Sequence, residues 1–245
     1  MKPLQKRVAI LAALEREVKP AVKHWRVCFR EYDGRRFKFF ENDRAVLVCS
    51  GIGAEAGRRA AEAMVALYAP ESVASVGFAG ALEPALKVGD LFVPLWVIDA
   101  GDSSRAQTLK GKGILVSSRS IADENQKRQL ARSYGAQAVD MEGAAVARAA
   151  SVHGLPFFAV KAISDELGFR MPPMDAFVGA DGNFMSWKFG LYSMVRPWLW
   201  GPVLRLARNS SRASQSLCRW LNQYNEPELL KNNPDELHPI SKTPS

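Results

Sequence analysis

The sequence predicts an α/β fold with a largely parallel sheet. Apolar runs of strand length occur at residues 8–13, 73–78 and 156–164, and their continuity is typical of strands buried on both faces. Helical periodicity appears between them, as in 54–68, where several alanines, Met64 and Leu67 share one face. Strands that alternate with helices favour parallel pairing, with helices covering the sheet.

Local patterns predict the remaining elements in chain order. Acidic residues precede basic ones over 14–25, as a helix start prefers, and Pro94 within the run 90–98 indicates an edge strand or a bulge. Residues 99–113 are predicted to be a polar loop. The other predicted elements are a hairpin of 37–41 and 45–49 around Asn42 and Asp43, strands at 114–117 and 136–141, and helices over 122–133 and from Glu142 to His153.

The character of the chain changes after residue 167. A chain of 245 residues can bury a sizeable core, which we assign to residues 1–167. Residues 168–225 are predicted to be a helical extension packed on that core, because they are rich in aromatic and basic residues and are interrupted by proline. Residues 226–245 are polar with four prolines, so we expect a disordered tail.

The composition excludes several function classes. Lys and Arg outnumber Asp and Glu by 33 to 25, a net charge of +8 that favours anionic partners; however, the basic residues are scattered and no nucleic-acid-binding motif is present. Cys28, Cys49 and Cys218 are far apart and the histidines do not cluster, so we expect no metal site. Glu15 and Glu17 interrupt the N-terminal apolar run and no stretch reaches about 18 apolar residues, so we expect a cytoplasmic protein.

Polar residues and glycines follow several of the predicted strands. Ligands of open α/β sheets bind at the carboxyl ends of strands, so these residues predict a small-molecule pocket. Taken singly, each has a plain structural explanation: a glycine turn, a solvated helix residue, a cap, or a carboxylate at a helix N-terminus. The residues concerned are Glu15 and Glu17, Ser50-Gly51-Ile52-Gly53, Phe78-Ala79-Gly80, Asp140-Met141-Glu142, and Ser164-Asp165-Glu166.

Together, five segments in order resemble the purine nucleoside phosphorylase and nucleosidase superfamily. The segments are 8–18, 50–53, 76–82 with 86–90, 139–145 and 161–165. The resemblance implies a three-layer α/β/α fold with a central mixed, largely parallel twisted sheet and a C-terminal helical extension. It also implies cleavage of an N-glycosidic bond, with no cofactor other than water or inorganic phosphate as co-substrate, and a homodimer or larger homo-oligomer.

The resemblance assigns a role to individual residues. Asp165 matches the acid that protonates purine N7, and Glu17 matches the base that deprotonates the attacking water. Glu142 matches the carboxylate that holds the ribose hydroxyls, and Met141 matches the side chain under the sugar. The remaining substrate-binding residues implied are Ser50 and Ser164 near the sugar, Phe78, Ala79 and Gly80 at the base, and Gly51 and Asp140 within the same motifs.

The attacking nucleophile and the 5′ substituent are less defined. The first strand leads into Glu15 and Glu17, at the place where the phosphorylases bear a phosphate loop. This difference favours water as the nucleophile. The alternative is that Arg16 or Arg58 binds an anion. Residues 99–113 are too short for the loop that covers a methylthio group, and Phe78 replaces a small residue. We therefore expect a 5′ side that is open or accommodates a large group.

The C-terminal region resembles the hopanoid-associated phosphorylase group. The matching residues are Asp181, Gly182, Arg196, Pro197, Pro202 and 204–208. This resemblance implies adenosylhopane, an adenosine with a pentacyclic lipid on its 5′ carbon, as substrate. Aromatic residues among basic ones over 184–222 suit a peripheral membrane contact, but they equally suit core packing or a subunit interface. The aromatic residues are Trp187, Tyr192, Trp198, Trp200 and Trp220.

Three other functions remain open from the sequence. A methylthioadenosine/S-adenosylhomocysteine nucleosidase and a phosphate-dependent purine nucleoside phosphorylase use the same motifs. A non-catalytic nucleoside-binding module is the third, and the presence of Glu17, Glu142 and Asp165 argues against it.

Overall fold

A computed structural model describes residues 7–173, 175–177, 179, 182, 185–194 and 196–224. The strands are β1 (Val8–Ala12), β2 (Arg26–Tyr32), β3 (Arg35–Glu41), β4 (Ala45–Cys49), β5 (Ser72–Ala81), β6 (Leu91–Phe92), β7 (Trp96–Asp99), β8 (Arg105–Gln107), β9 (Ile114–Ser117), β10 (Ala138–Asp140) and β11 (Phe157–Asp165). The helices are α1 (Glu15–Val22), α2 (Ala54–Tyr68), α3 (Glu124–Tyr134), α4 (Gly143–Val152), α5 (Ser186–Met194) and α6 (Pro197–Tyr224), with a 3-10 turn at Asp175–Phe177.

All eleven strands belong to one mixed sheet. Parallel pairing joins β4, β1, β5 and β11, and separately β10, β9 and β7. The hairpins β2–β3–β4 and β7–β8 extend the two margins as antiparallel pairs. The carboxyl ends of β1, β5, β10 and β11 carry most of the residues that the sequence assigns to the site.

Strand β1 shows why helices cover both faces of the sheet. All five of its residues are buried, and successive side chains point to opposite faces. Ala9 and Leu11 pack with α2 and α4 in one apolar cluster. Val8, Ile10 and Ala12 pack with α1 and α6 in the second. This arrangement is the predicted three-layer α/β/α fold.

The structure corrects three predictions of local structure. The run 90–98 is not one strand, because Pro94 has no N–H to donate to a ladder and instead lies between β6 and β7. Residues 99–113 are not wholly loop, since β8 pairs with β7 there. Strand β2 was not predicted; its side chains are mostly exposed, so it lacks the apolar pattern that marks a strand.

The C-terminal helix α6 is joined to α1 by a specific polar contact. Pro20 lies within α1 and has no N–H for the carbonyl four residues earlier, that of Arg16. Ser214 of α6 supplies the missing donor: its Oγ lies 3.3 Å from the Arg16 carbonyl oxygen and 3.0 Å from that of Glu17. The helix that carries Glu17 is therefore held in part by the C-terminal segment.

The division of the chain at residue 167 stays a prediction. The predicted tail, 226–245, lies outside the described residues, as do Asp181 and the side chain of Trp187. Of the aromatic residues in the extension, Trp220 packs on the second apolar cluster, whereas Trp198 and Trp200 are 71% and 52% exposed. None of the described helices has the length and apolar character needed to cross a membrane.

Replacing Leu217 with Ala is expected to lower the free energy of unfolding by about 2–5 kcal/mol. Leu217 is fully buried on α6 against the sheet, and its loss leaves a cavity there. Urea denaturation measures the change. The matched control is Leu204→Ala on the same helix, where the side chain is 60% exposed and the expected change is within about 0.5 kcal/mol. Equal losses in the two variants would contradict the packing of α6 described above.

Candidate functional site

A cleft of about 140 Å³ opens at the carboxyl ends of the central strands. Nine of the residues that the sequence assigns to the site line it: Glu17, Phe78, Ala79, Gly80, Asp140, Met141, Glu142, Ser164 and Asp165. Ser50 lines a smaller adjoining cavity, which shares Phe78 and Glu142 with the cleft. Gly51 does not line either space; its N–H donates to the carbonyl of Ala13, at the end of β1.

Glu17 is a buried carboxyl in the first turn of α1. Its side chain is 4% exposed, and among the described residues no donor reaches its Oε2. Burial, with the nearby Glu142 carboxylate as the next cause, raises the pKa of Glu17 to about 8 against the opposing effect of Lys161 and Arg16. Neutral pH is therefore close to the pKa of the Glu17 carboxyl, so that both its protonated and its ionised forms are accessible.

Glu142 lies at the N-terminus of α4 and is held by the glycine turn after β4. The N–H of Gly53 donates to Glu142 Oε1 at 2.6 Å. Gly53 has a φ of 100°, a conformation that glycine adopts without strain. Burial raises the pKa of Glu142 to about 7, with the Asp140 carboxylate as the next cause. The turn at 50–53 thus positions a carboxylate in the cleft.

Asp140 is neutralised by a buried lysine on β11 of the same sheet. Lys161 Nζ lies 2.8 Å from Asp140 Oδ2 and donates to Ser75 Oγ at 2.9 Å. Ser117 donates to Asp140 Oδ1 at 2.5 Å, and the N–H of Gly143 donates to Oδ2 at 2.9 Å. With both oxygens occupied, Asp140 fixes the entry into α4 and faces the cleft as one half of an ion pair.

Asp165 ends β11 and is also paired with a buried lysine. Lys127 Nζ donates to Asp165 Oδ2 and, at 2.9 Å, to the carbonyl of Glu166. Ser164 Oγ donates to Asp165 Oδ1 at 2.7 Å. The register between β11 and β5 shifts at this point, so that Asp165 pairs with Gly80. This irregularity places two successive polar side chains, those of Ser164 and Asp165, along the same wall of the cleft.

The C-terminal extension completes the cleft on a further side. Met171, together with Leu206 and Ser210 of α6, lines it. The carbonyl of Gly182 accepts a hydrogen bond of 2.7 Å from the N–H of Ile52 in the glycine turn. The site therefore depends on residues at both ends of the described chain.

Sequence reasoning missed the two buried lysines. The prediction included Lys161 only as the first residue of the segment 161–165. A lysine within the otherwise apolar strand β11 itself indicates a buried partner. Lys127 lies three, four and seven residues before Leu130, Ala131 and Tyr134, which pack on a further apolar cluster. That spacing puts it on the packed face of α3. No pattern in the sequence predicted that Ser118, Ser120 and Ile121, which lie between the predicted strand and α3, line the cleft.

The arrangement offers two neutralised carboxylates and two that lack a directly bonded ammonium among the described residues. Asp140 and Asp165 are each paired with a lysine, whereas Glu17 and Glu142 have raised pKa values. Within the described ranges, no three His, Cys, Asp or Glu side chains are grouped to hold a metal ion. The cleft can donate protons, accept protons and bind hydroxyl groups.

Replacing Glu17 with Gln is expected to stabilise the protein relative to wild type as pH rises. Between the ordinary glutamate pKa of 4.5 and the folded value of about 8, the unfolded chain loses this proton while the folded chain keeps it. The wild type therefore loses up to about 1.4 kcal/mol per pH unit from this group, and Gln removes that loss.

Urea denaturation at about pH 5 and about pH 8 measures the effect. The difference between E17Q and wild type should be larger at the higher pH by about 2–4 kcal/mol. Glu31→Gln is the control, because Glu31 is exposed and its difference from wild type should not change with pH. A pH-independent difference for E17Q would contradict the raised pKa.

Comparison with known proteins shows a family along most of the chain. The sequence model of the Phosphorylase superfamily matches residues 7–114 and 108–183. An aminodeoxyfutalosine nucleosidase of Campylobacter jejuni is 25% identical over 198 residues, covering 66% of this chain and 86% of the relative. A 5′-methylthioadenosine/S-adenosylhomocysteine nucleosidase of Staphylococcus epidermidis is 26% identical over 196 residues, covering 64% of this chain and 86% of the relative.

A solved structure gives the same result for the fold. The Helicobacter pylori 5′-methylthioadenosine/S-adenosylhomocysteine nucleosidase with butyl-thio-DADMe-Immucillin-A has a TM-score of 0.67 at 17% identity, covering 89% of this chain and 97% of that one. The likeness confirms the predicted three-layer fold. Since the family match spans well over half of the residues, the chain belongs to the Phosphorylase superfamily.

Proposed function

We propose that this protein is a nucleosidase that hydrolyses the N-glycosidic bond of a 5′-modified adenosine and releases adenine. The observation that carries the proposal is the convergence of Glu17, Glu142 and Asp165 on one cleft. Three carboxyl groups from three separate strand ends have no common structural purpose at such a site, whereas N-glycosidic cleavage requires each of them.

The three groups match the charges that develop during the reaction. As the bond between C1′ and N9 breaks, electrons move into the purine and the sugar becomes oxocarbenium-like. Asp165 protonates N7 of the departing base. Glu142 accepts hydrogen bonds from the ribose hydroxyls and offsets the positive charge of the sugar. Glu17 takes a proton from the water that attacks C1′.

The raised pKa of Glu17 supports its role as the base. A general base works best when its pKa lies near the operating pH, and burial brings that of Glu17 to about 8. Only the ionised form can accept a proton from water, so hydrolysis should increase as pH rises towards that value. Asp165 has a different environment, because it is ion-paired with Lys127.

The charge of the cleft supports water over phosphate as the nucleophile. Four carboxyl groups line the cleft, and Lys127 and Lys161, the two lysines bonded to them, are held by Asp165 and Asp140. Arg16 and Lys127 are the cations that line the cleft, so carboxyl groups outnumber them and disfavour the entry of an inorganic phosphate dianion. The relatives reported above are named nucleosidases, which supports the same choice.

A lipid-linked substrate, adenosylhopane, is the favoured finer assignment. It rests on the C-terminal sequence resemblance and on an exposed apolar surface formed by α5 and α6: Leu191, Met194, Trp198, Trp200 and Leu204 are each more than half exposed. Leu206 and Ser210, further along α6, line the cleft. Exposed apolar side chains on the helix that also lines the cleft suit a nucleoside whose 5′ group lies in a membrane.

Adenine release should be phosphate-independent and should fall at least about 100-fold in Asp165→Asn, because Asn cannot protonate N7. Chromatography measures adenine from adenosylhopane, methylthioadenosine, S-adenosylhomocysteine and adenosine, each with and without phosphate. Asp43→Asn, an exposed turn residue, is the control.

The other outcomes discriminate between the alternatives. Release from only the small thio-nucleosides would replace adenosylhopane by the methylthioadenosine/S-adenosylhomocysteine assignment. Phosphate dependence with a ribose-1-phosphate product would make the protein a phosphorylase. No release from any of the four, with binding retained, would favour the nucleoside-binding module.

The double variant Trp198→Ser/Trp200→Ser is expected to weaken binding to phosphatidylcholine–phosphatidylglycerol vesicles. Each tryptophan that leaves water for the membrane contributes about tenfold in affinity. Sedimentation with vesicles measures binding, and cleavage of membrane-held adenosylhopane should fall while cleavage of a soluble nucleoside should not. The control is Phe29→Ser, since Phe29 is also 54% exposed but lies on β2. Unchanged vesicle binding would remove the membrane contact from the proposal.

A further inference from the structure

Lys127 is a buried charge on an otherwise polar and exposed helix. It is 1% exposed and is the only buried residue of α3, a helix that the structure describes in full. Placing an ammonium group inside a protein is costly unless its charge is paired and its donors are used. The ammonium of Lys127 meets this condition at the cleft, where it is paired with Asp165.

Among the described residues, the ammonium group of Lys127 donates its hydrogen bonds to residues at the end of β11. Its Nζ donates to Asp165 Oδ2 and to the carbonyl oxygen of Glu166, the latter at 2.9 Å. The other oxygen of Asp165 accepts from Ser164 at 2.7 Å. In this ion pair the transferable proton is on Lys127 Nζ, and Asp165 is the acceptor.

The two buried lysines differ in their relation to the cleft. Lys161 bonds Asp140 and Ser75, and it lines the smaller adjoining cavity rather than the cleft. Lys127 lines the cleft beside Asp165. Of the two ion pairs, the one formed by Lys127 therefore has both of its residues in the cleft lining.

Gly80 preserves the space around the pair. A Cβ built on Gly80 would lie 2.9 Å from Asp165 Oδ2 and 3.1 Å from Lys127 Cε, closer than side-chain carbons normally approach. Gly80 also lies in the segment 78–80 that the family resemblance assigns to the purine. The pair is therefore packed directly against the predicted position of the leaving group.

We propose that Lys127 is a positioning residue for the leaving group, which supplies through Asp165 the proton that the departing purine takes up. The inference rests on the proposed nucleosidase function. As the bond between C1′ and N9 breaks and its electron pair passes to the purine, Asp165 takes a proton from Lys127 Nζ and passes a proton to N7. On the opposite face the water oxygen bonds to C1′ and its proton passes to Glu17. Lys127 ends as a neutral amine and Glu17 as a neutral acid, so charge and protons balance.

A pair of substrates with different leaving groups tests this role. One is the best purine nucleoside found for the wild type, and the other is the 4-nitrophenyl riboside with the same 5′ substituent. The 4-nitrophenolate ion leaves without protonation, whereas a purine does not. For Lys127→Met, kcat/KM on the purine nucleoside should fall at least about 100-fold, and kcat/KM on the 4-nitrophenyl riboside should stay within about threefold. A purely structural role for Lys127 would lower both alike.

Further variants guard against misfolding and define the pathway. Lys127→Met leaves Asp165 buried without its cation, so the double variant K127M/D165N, which removes both charges, is measured beside it. If the proton passes through both residues, the double variant should be no slower on the purine nucleoside than the slower single variant. The control is Arg128→Met, which removes a neighbouring cation that is half exposed and paired with Glu124. It should leave both substrates unaffected.

Two results would overturn the inference while leaving the nucleosidase function intact. One is equal loss on the two substrates in Lys127→Met and in the double variant, and the other is undiminished purine release by Lys127→Met. A wild-type protein that releases no purine from any nucleoside would instead overturn the proposed function, and the inference with it.

Discussion

The constraint on which the site depends is the burial of four carboxyl groups with two ammonium groups at one edge of the sheet. Lys161 neutralises Asp140 and Lys127 neutralises Asp165. Burial raises the pKa of Glu17 and of Glu142, with the Glu142 carboxylate as the next cause for Glu17 and the Asp140 carboxylate as the next cause for Glu142. The strand ends, the helix starts and the glycine turn all act to hold these charges in place. Fold stability and chemical reactivity are therefore in opposition here.

The glycines of the site make room for carboxylates. A Cβ on Gly77 would lie 2.8 Å from Glu17 Oε2, and one on Gly80 would lie 2.9 Å from Asp165 Oδ2. Gly53 uses its backbone N–H to hold Glu142. In phosphate-binding loops, glycines expose backbone N–H groups to an anionic ligand. Here the anions that approach the backbone are the protein's own side chains, in keeping with a cleft built for a neutral nucleoside.

The sequence predicts the parts of this protein whose local pattern and burial agree. The helix Ala54–Tyr68 has the predicted bounds because its apolar positions recur every three to four residues after a glycine turn. The prediction of one strand over 90–98 was wrong because Pro94 interrupts the ladder. Strand β2 was not predicted because its side chains are mostly exposed. Nine of the residues that the sequence assigns to the site line the cleft, because they follow strands that end at the same edge of the sheet. Lys127 was missed because the charges around it on α3 made the helix look fully solvated.

The contact between Ser214 and the α1 backbone has a consequence for the order in which the protein is made. Synthesis runs from the N-terminus, and every strand of the sheet has been made once Asp165 is added. At that stage Ser214 has not yet been made, and the sheet face that Leu217 and Leu221 cover is still exposed. The nascent chain thus carries an exposed apolar face and an unfinished cleft until α6 leaves the ribosome. A ribosome that stalls before α6 would leave a chain that contains the carboxyl and ammonium groups of the cleft but lacks the helix that completes it.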